Sequence, residues 1–281
     1  MHKEKNFLSA MTVAAAEEGE TVQAFLARRL GLSRRAAKNL LDNRQVWVNR
    51  QLVWMAHHVV RRGDILQTPA AESRPAKSPH IRVLVEDAHY VFVDKPAGVM
   101  TIGPDGAEER LRVQLTAPAL RVVHRLDRDT SGCLMVARND AAFQAAVAVF
   151  KTRRVLKVYH AICVGALPRR SSTIREDLDG ESAVTHLTTL AATRDATYLA
   201  LRIETGRTHQ IRRHLAGIRH PVIGDHQYGL KAAHDQRIQQ VARQMLHATD
   251  IALPHPMQPG DLRAHSPLPA DFRRCLRLFG L

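Results

Sequence analysis

The segment QTPAAESRPAKSPH, from Gln67 to His80, constrains the fold of this 281-residue chain more than any other stretch. It is rich in proline, alanine and serine and has no apolar period, which is typical of a linker. Helical spacing of apolar residues precedes the segment, and strand-like runs follow it. The sequence therefore predicts an N-terminal tail at 1–18, a small domain at 19–67, a linker at 68–80 and a larger domain at 81–281.

The chain carries a strong excess of positive charge. Lysine and arginine number 41 against 27 acidic residues, which gives a formal net charge of +14. Such an excess suits a polyanionic partner, either nucleic acid or an anionic membrane surface. The other reading is a basic protein without such a partner.

Several features indicate a cytoplasmic location. No apolar run approaches the length of a membrane span, and the N-terminal residues have too weak an apolar stretch for a secretory signal. The three cysteines, at 133, 163 and 275, are scattered and odd in number, so they indicate neither a disulfide framework nor a zinc knuckle. We expect a monomer in a reducing cytoplasm with no membrane partner.

The small domain begins with helices and ends with strands. Apolar residues recur at helical spacing in ETVQAFLARRLG, at Val22, Phe25, Leu26 and Leu30. Gly31 can end this first helix, and Ser33 can cap a second helix in SRRAAKNLLDN. The run RQVWVNRQLV predicts a hairpin, and VVRRGDIL predicts a closing strand after a turn.

The run LSRRAAKNLLDNRQVWVN and the ending RRGDIL resemble the small RNA-binding domain first described in ribosomal protein S-four. The resemblance covers Gly19 to Gln67, and it implies a basic surface that contacts RNA phosphates with little base readout. The candidate contacts are Arg34, Arg35, Lys38 and Arg44. The alternative is a solvated basic helix pair. Trp47 and Trp54 can stack on bases, but we expect them to pack in the core.

Strands dominate the larger domain. IRVLVED and HYVFVDKPAG predict a hairpin that ends at Lys95, because Pro96 halts the strand. RVVHRLD, CLMVAR and VLKVYHAICVG predict further strands, and NDAAFQAAVAVFKTRR predicts a helix capped by Asn139 or Asp140. YLALRIETGRTHQIRRHLAG predicts a strand, a turn and a helix capped by Thr208. The expected class is α+β with a mixed, largely antiparallel sheet.

Three segments of this domain place polar side chains where chemistry is possible. Asp127 lies in HRLDRDTSG between two apolar runs, and the neighbouring arginines favour its ionised form. Tyr159 lies on a predicted strand, and Arg207 and Arg212 flank a predicted helix start. Each residue alone has an ordinary structural explanation, as a turn cap, a core tyrosine or a solvated arginine.

Together, HRLDRDTSG, KVYHAICVG, ETGRTHQIRRHL…HPVIGD and VDKPAG resemble the RluA-type pseudouridine synthases. The resemblance extends from Ile81 to SPLPADF near the C-terminus. It implies an enzyme that detaches the uracil of an RNA uridine from its ribose at nitrogen 1 and rejoins it at carbon 5. No atoms enter or leave in this reaction, so no cofactor and no metal are expected.

The resemblance also implies roles for individual residues. Asp127 acts at the sugar, either as a nucleophile on the anomeric carbon or as a base toward the neighbouring carbon. Tyr159 stacks on the uracil and helps to remove the proton from carbon 5, while Arg212 pairs with the aspartate. Arg125 fills the gap left by a flipped uridine, and Leu246 lies against the base.

The sequence leaves some alternatives open and argues against others. The expected substrate is large-subunit ribosomal RNA, with transfer RNA as the alternative substrate and a non-catalytic RNA-binding ribosome-assembly factor as the alternative function. Ser131 lacks the surrounding sequence of a hydrolase nucleophile. Four histidines lie close together in the sequence, at His209, His214, His220 and His226, but their spacing does not predict a zinc site.

Overall fold

The structure, a computed structural model, describes residues 9–32, 34–42, 45–68, 80–152, 154–167, 170–229 and 235–281. It divides into two compact units, Met1–Pro79 and His80–Leu281. Most of the predicted linker, residues 69–79, lies outside the described residues, as do Ser33 and Arg44 and the side chain of Arg35. No helix of the described ranges is both long and apolar enough to cross a membrane.

The small unit packs two helices on a short sheet. Its elements are β1 (Ser9–Thr12), a 3₁₀ turn (Ala15–Glu17), α1 (Val22–Arg29), α2 (Arg34–Asp42), β2 (Trp47–Val48), β3 (Gln51–Leu52) and β4 (Ile65–Thr68). The strands pair antiparallel in the order β1-β4-β2-β3. Helix α1 buries Val22, Phe25 and Leu26 completely, and the Thr21 hydroxyl caps it by accepting the Ala24 N–H at 3.2 Å.

Two expectations for the small unit are wrong. Residues 9–18 are not a tail, because β1 pairs with β4 and Val13 is buried beside it. This strand is too short to show alternation, and its partner lies far along the chain, so local sequence does not reveal it. Trp54 is not a core residue, since 51% of its surface is exposed, whereas Trp47 is half-buried.

The large unit is built on one sheet. Its first elements are β5 (Arg82–Glu86), β6 (Tyr90–Lys95), α3 (Ala107–Gln114), β7 (Arg121–Val122), β8 (Ser131–Ala137), α4 (Asp140–Lys151), β9 (Leu156–Val164) and β10 (Ser171–Arg175). The chain continues through β11 (Val184–Ala192), β12 (Ala196–Ile203), α5 (Gln210–Gly217), α6 (Gln236–Gln239), β13 (Leu246–Pro254), β14 (Asp261–His265) and α7 (Ala270–Phe279).

The strand order is β10-β11-β12-β9-β13-β8-β6-β5, with β14 paired to β13 and β7 paired to β8. Strands β13 and β8 run parallel, and the other pairs within the described part of this unit are antiparallel. The α+β prediction with a mixed, largely antiparallel sheet is therefore confirmed.

Both faces of the central strands are buried. Successive residues of β8 alternate between two apolar clusters, with Leu134 and Val136 in one and Cys133 and Met135 in the other. Helices α3, α5 and α7 contribute to the first cluster, and α4 contributes to the second. Because an apolar cluster covers each face of β8, the segment CLMVA is apolar at every position.

Two local predictions in the large unit need correction. The strand expected over RVVHRLD is limited to Arg121–Val122, and the chain then forms a loop that reaches Thr130. The N-cap of α5 is His209 rather than Thr208, and its φ of 55° is left-handed. In both places a side chain accepts a backbone N–H of the loop, Thr101 from Leu126 and Gln210 from Arg207.

Gly132 brings the Asp127 loop close to β13. Its φ is +115°, and an added Cβ would lie 2.1 Å from the carbonyl oxygen of Ala248. Gly132 and Ala248 are partners in the parallel β8–β13 pair. Only glycine permits this approach, so the loop that precedes β8 is held against the start of β13.

Candidate active site

One cleft in the large unit collects side chains from four separate segments. The loop before β8 contributes Arg125 and Asp127, strand β9 contributes Tyr159, helix α5 contributes Arg212, and β13 contributes Leu246. All five of these large-unit residues were singled out in the sequence, and the sheet brings them to one place. The loop from 203 to 209 forms the opposite wall of the cleft.

A buried guanidinium organises the carboxylates of the cleft. The Nη1 of Arg212 donates to Oδ2 of Asp127 at 3.1 Å, and its Nε and Nη2 donate to the two oxygens of Asp225 at 2.6 and 2.9 Å. The side chain of Asp225 is 0% exposed, whereas that of Asp127 is 17% exposed. Arg212 is therefore fixed from behind by Asp225 and presents one N–H to the accessible Asp127.

Asp225 also holds its own turn together. Its Oδ1 accepts the backbone N–H groups of Gln227 and Tyr228 at 2.9 and 3.0 Å. Burial raises the pKa of the Asp225 carboxyl, but the hydrogen bonds from Arg212 and from the turn outweigh burial and hold the pKa below its ordinary value. Asp225 thus stays ionised. This aspartate was not predicted from the sequence as a site residue, although it ends the motif HPVIGD.

His209 and Tyr228 lie beside the same carboxylates, and neither was predicted from the sequence to belong to the site. The Nε2 of His209 lies 3.7 Å from Oδ1 of Asp127, and its Nδ1 lies 3.0 Å from the Tyr228 hydroxyl. Burial lowers the pKa of His209, although the Asp127 charge opposes the change. The Arg212 guanidinium carbon stands 5.0 Å from the centre of the Tyr228 ring, which adds a cation–π contact.

Tyr159 presents its ring to the cleft from the middle of the sheet. It pairs with Leu201 on one side and with Ala248 on the other, and it is 8% exposed. Burial raises the pKa of the phenol, and the Asp127 charge raises it further. The hydroxyl is therefore protonated at neutral pH, and the ring offers a flat apolar surface next to a carboxylate.

Buried polar groups fix the loop that carries Asp127. The fully buried Lys95 donates from Nζ to the carbonyl oxygens of Pro96, Val99 and Arg128 at 2.7 to 3.0 Å. Thr101 exchanges two hydrogen bonds with the backbone of Leu126. Burial lowers the pKa of Lys95 to about 7. The segment VDKPAG thus acts on the site through the backbone of the Asp127 loop.

His124 anchors the other end of this loop as a neutral ring. Its Nε2 accepts the Met135 N–H at 3.1 Å, and its ring stacks on Phe150 with centroids 5.3 Å apart. Burial lowers the pKa of His124 from 6.5 to about 4, and the nearby Lys157 lowers it further. Protonation at Nε2 would break the hydrogen bond to Met135.

We therefore expect His124 to make the protein acid-sensitive. A group whose pKa is depressed on folding binds more protons in the unfolded chain, so its contribution to stability falls as the pH drops from 6.5 toward 4. At pH 5 the loss relative to pH 8 is about 2 kcal/mol. Urea unfolding of the wild type and of His124→Gln at both pH values measures it. A wild-type loss no larger than that of the variant would contradict this role.

Ser131 and the other three histidines noted in the sequence do not form a second catalytic or metal site within the described residues. Ser131 Oγ lies 2.9 Å from Nδ1 of His247, but both side chains are buried and Nε2 of that histidine faces the Ser266 carbonyl oxygen, not a carboxylate. His214, His220 and His226 each face separate protein groups. Within the described ranges, no group of three potential metal ligands comes together.

Two of the predicted RNA contacts of the small unit, Arg34 and Lys38, have described side chains, and both are surface residues. Arg34 is exposed on α2, and Lys38 pairs with Asp42 at 2.9 Å one turn later. In the large unit, Arg125 is exposed at the edge of the cleft. Arg207 also lines the cleft, but it forms an ion pair with Glu181.

Known proteins resemble this chain in sequence and in fold. Residues 89–217 match the family described as RNA pseudouridylate synthase. The chain is 37% identical over 226 residues to a ribosomal large subunit pseudouridine synthase D of Xanthomonas campestris pv. campestris, covering 70% of this chain and 68% of that protein. It is 33% identical to an uncharacterized RNA pseudouridine synthase of Mycobacterium bovis, covering 96% and 97% of the two chains.

Solved structures agree with the sequence comparison. Human RNA pseudouridylate synthase domain containing 4 matches with a TM-score of 0.63 at 24% identity, covering 71% of this chain and 93% of that chain. Human RNA pseudouridylate synthase domain containing 1 matches with a TM-score of 0.60 at 28% identity, covering 72% and 90%. With this fold and these relatives, the chain belongs to the RNA pseudouridine synthase family of isomerases.

Proposed function

We propose that this enzyme converts specific uridines of large-subunit ribosomal RNA to pseudouridine, with Asp127 acting on the sugar. The observation that carries the proposal is the geometry of Asp127. It is the accessible carboxylate of a cleft in which Arg212 and Asp225 form a buried ion pair behind it. The choice of RNA is supported by the relatives of this chain that are named as large-subunit ribosomal synthases.

The cleft residues account for each part of the isomerisation. The bond from ribose to uracil nitrogen 1 breaks, the base turns within the cleft, and a bond to carbon 5 forms while carbon 5 loses its proton and nitrogen 1 gains one. Asp127 acts either as the nucleophile on the anomeric carbon or as the base toward the neighbouring carbon. Arg212 donates to the Asp127 carboxylate and so holds it in position for both routes.

The detached uracil must be kept from water and held in position. Tyr159 and Leu246 are both almost fully buried, and they line the cleft beside Asp127. The uracil stacks on the Tyr159 ring, and Leu246 packs against the base edge. Exclusion of water favours reattachment of the base over hydrolysis of the sugar intermediate. Arg125, exposed at the rim, occupies the place in the RNA that the flipped uridine vacates.

Tyr159→Phe tests whether the hydroxyl helps to remove the proton from carbon 5. This change keeps the stacking ring, so base detachment should continue while product formation slows by about a hundredfold. Single-turnover assays and trapped intermediates on 5-fluorouridine RNA measure the two steps. Tyr198→Phe is the matched control, because that hydroxyl contacts His160 on the sheet and not the cleft. Wild-type product formation in Tyr159→Phe would show that the hydroxyl is dispensable.

The small unit, in this proposal, is an S-four-type module that docks the enzyme on RNA phosphates. The exposed Arg34 and Lys38 on α2 support this role, together with Arg35 and Arg44 in the same stretch of sequence. A tethered module raises the local concentration of RNA near the cleft without touching the reacting base.

Removal of residues 1–79 should therefore weaken RNA binding and flatten its salt dependence. The single-turnover rate at saturating RNA should change far less, because Asp127, Tyr159 and Arg212 all lie in the large unit. Filter binding between 50 and 200 mM salt and rapid-quench assays measure the two effects. A truncated protein that folds but loses its single-turnover rate would instead make the module part of the catalytic assembly.

Mapping pseudouridines in all cellular RNA, with and without the gene, tests the proposed substrate. We expect one or a few large-subunit ribosomal positions to lose the modification and to regain it with the wild-type gene. Loss in transfer RNA would favour the alternative substrate. A third outcome would favour a non-catalytic RNA-binding factor. Cells without the gene would then keep every pseudouridine, and an Asp127→Asn gene would restore their growth or ribosome assembly.

A further inference from the structure

A second cleft adjoins the uridine cleft on the side of Tyr159. The two share Arg125, Tyr159 and Arg207, so one continues into the other. The second cleft, called the side cleft below, extends away from Asp127 toward Lys151 at the end of α4 and Lys157 on β9. No role in the proposed isomerisation requires these two lysines.

The side cleft is lined by more cationic than acidic side chains. Glu204 lines it, but this carboxylate bonds to Nε2 of His186 at 2.7 Å. Arg207 is paired with Glu181. Across the described ranges, neither Lys151 nor Lys157 forms an ion pair, and Lys157 Nζ has only a 3.3 Å bond to the Thr205 carbonyl oxygen. Two ammonium groups are therefore left to meet an anion.

Strand geometry places Lys157 on the same face of the sheet as Tyr159, on which the target base is proposed to stack. Lys157 and Tyr159 are two residues apart on β9, so their side chains leave the same face of the sheet about 7 Å apart. The side chain of Lys157 is half-buried, and this burial lowers the pKa of its ammonium group. The stacked rings of His124 and Phe150 form an uncharged wall of the cleft at neutral pH.

We propose that the side cleft binds the RNA strand next to the target uridine, with a backbone phosphate held between Lys151 and Lys157. This inference rests on the proposed function, because it assumes that the target uracil stacks on Tyr159. A phosphodiester suits the site because it carries a negative charge and both lysines line the same cleft. The contact sets which neighbour of the uridine enters the cleft, and so the direction of the strand.

A double-mutant cycle between protein and RNA tests the contact. The probe is an RNA hairpin around the uridine found by the mapping experiment, with each flanking phosphate replaced in turn by a neutral methylphosphonate. Lys157→Met should weaken binding of unmodified RNA about tenfold and lower the salt slope by about 0.7. On the RNA that lacks the contacted phosphate, the same variant should have no further effect.

Two further variants make the cycle decisive. Lys151→Gln changes an exposed side chain and should couple to the same phosphate, while Arg82→Gln, an exposed cation of β5 that lines neither cleft, should couple to none. Urea unfolding checks that each variant is folded. Additive effects at every flanking phosphate, or wild-type binding by both lysine variants, would overturn the proposal. Failure of the wild type to convert the hairpin would count against the proposed function, and the binding cycle would remain readable.

Discussion

Asp127→Asn is expected to abolish pseudouridine formation, with a loss of at least about 10⁴-fold in the single-turnover rate. The amide keeps the size of the carboxylate, and its oxygen can still accept the N–H of Arg212 that lies 3.1 Å from Oδ2. It has no negative charge, so it can neither attack the anomeric carbon nor remove a proton. RNA binding should stay within a few-fold of the wild type, because Asp127 contributes no attraction to phosphate.

Asp129→Asn is the matched control for this experiment. Asp129 lies on the same loop two residues away, but Arg243 donates to its backbone carbonyl oxygen and not to its carboxylate. We expect this variant to keep most of its activity. Turnover by purified Asp127→Asn, free of host enzyme, would remove Asp127 from the mechanism, and equal losses in both variants would point to the loop and not to one carboxylate.

Arg212→Met should damage both stability and catalysis. Asp225 is fully buried, and Arg212 supplies two of the hydrogen bonds to its carboxylate. Removing the guanidinium leaves a buried charge without its partner, which costs about 3–5 kcal/mol of the free energy of unfolding. It also removes the N–H that aims Asp127. Urea unfolding measures the first effect, and single-turnover assays at saturating RNA measure the second.

The double variant Arg212→Met with Asp225→Asn separates the two effects. An asparagine oxygen can still accept the N–H groups of Gln227 and Tyr228, and the double variant buries no unpaired charge. We expect most of the lost stability to return while the catalytic rate stays low. Recovery of the rate together with stability would show that Arg212 is needed only for folding, and that Asp127 needs no partner.

Much of the fold was predictable because its central elements are marked by local patterns. The β5–β6 hairpin ends where Pro96 removes a backbone donor, and α4 begins at Asn139, whose side chain accepts the Ala142 N–H at 2.9 Å. The elements that escaped prediction depend on distant partners. Strand β1 exists because β4 pairs with it, and no local pattern of its own identifies it.

The candidate site divides in the same way. The motifs around Asp127, Tyr159 and Arg212 can be recognised from the sequence alone. Each combines the apolar pattern of a strand or helix with nearby polar groups. Asp225 is different, because an aspartate in a turn ordinarily indicates only a cap. Its partnership with Arg212 depends on α5 and the following turn lying side by side. The side cleft likewise exists only where β9, α4 and the loop after β12 meet.

The sequence by itself determined the chemical groups, the strand and helix periods around them, and the resemblance that identifies the family. These properties follow from residue types and spacings along the chain. The tertiary structure alone decided which carboxylate is accessible and which is buried. It also decided that His209 and not Thr208 is the N-cap of α5, and that Lys157 lies beside Tyr159 in a continuous cleft. Burial and charge pairing arise between segments that are distant in sequence, so only the packed sheet determines them.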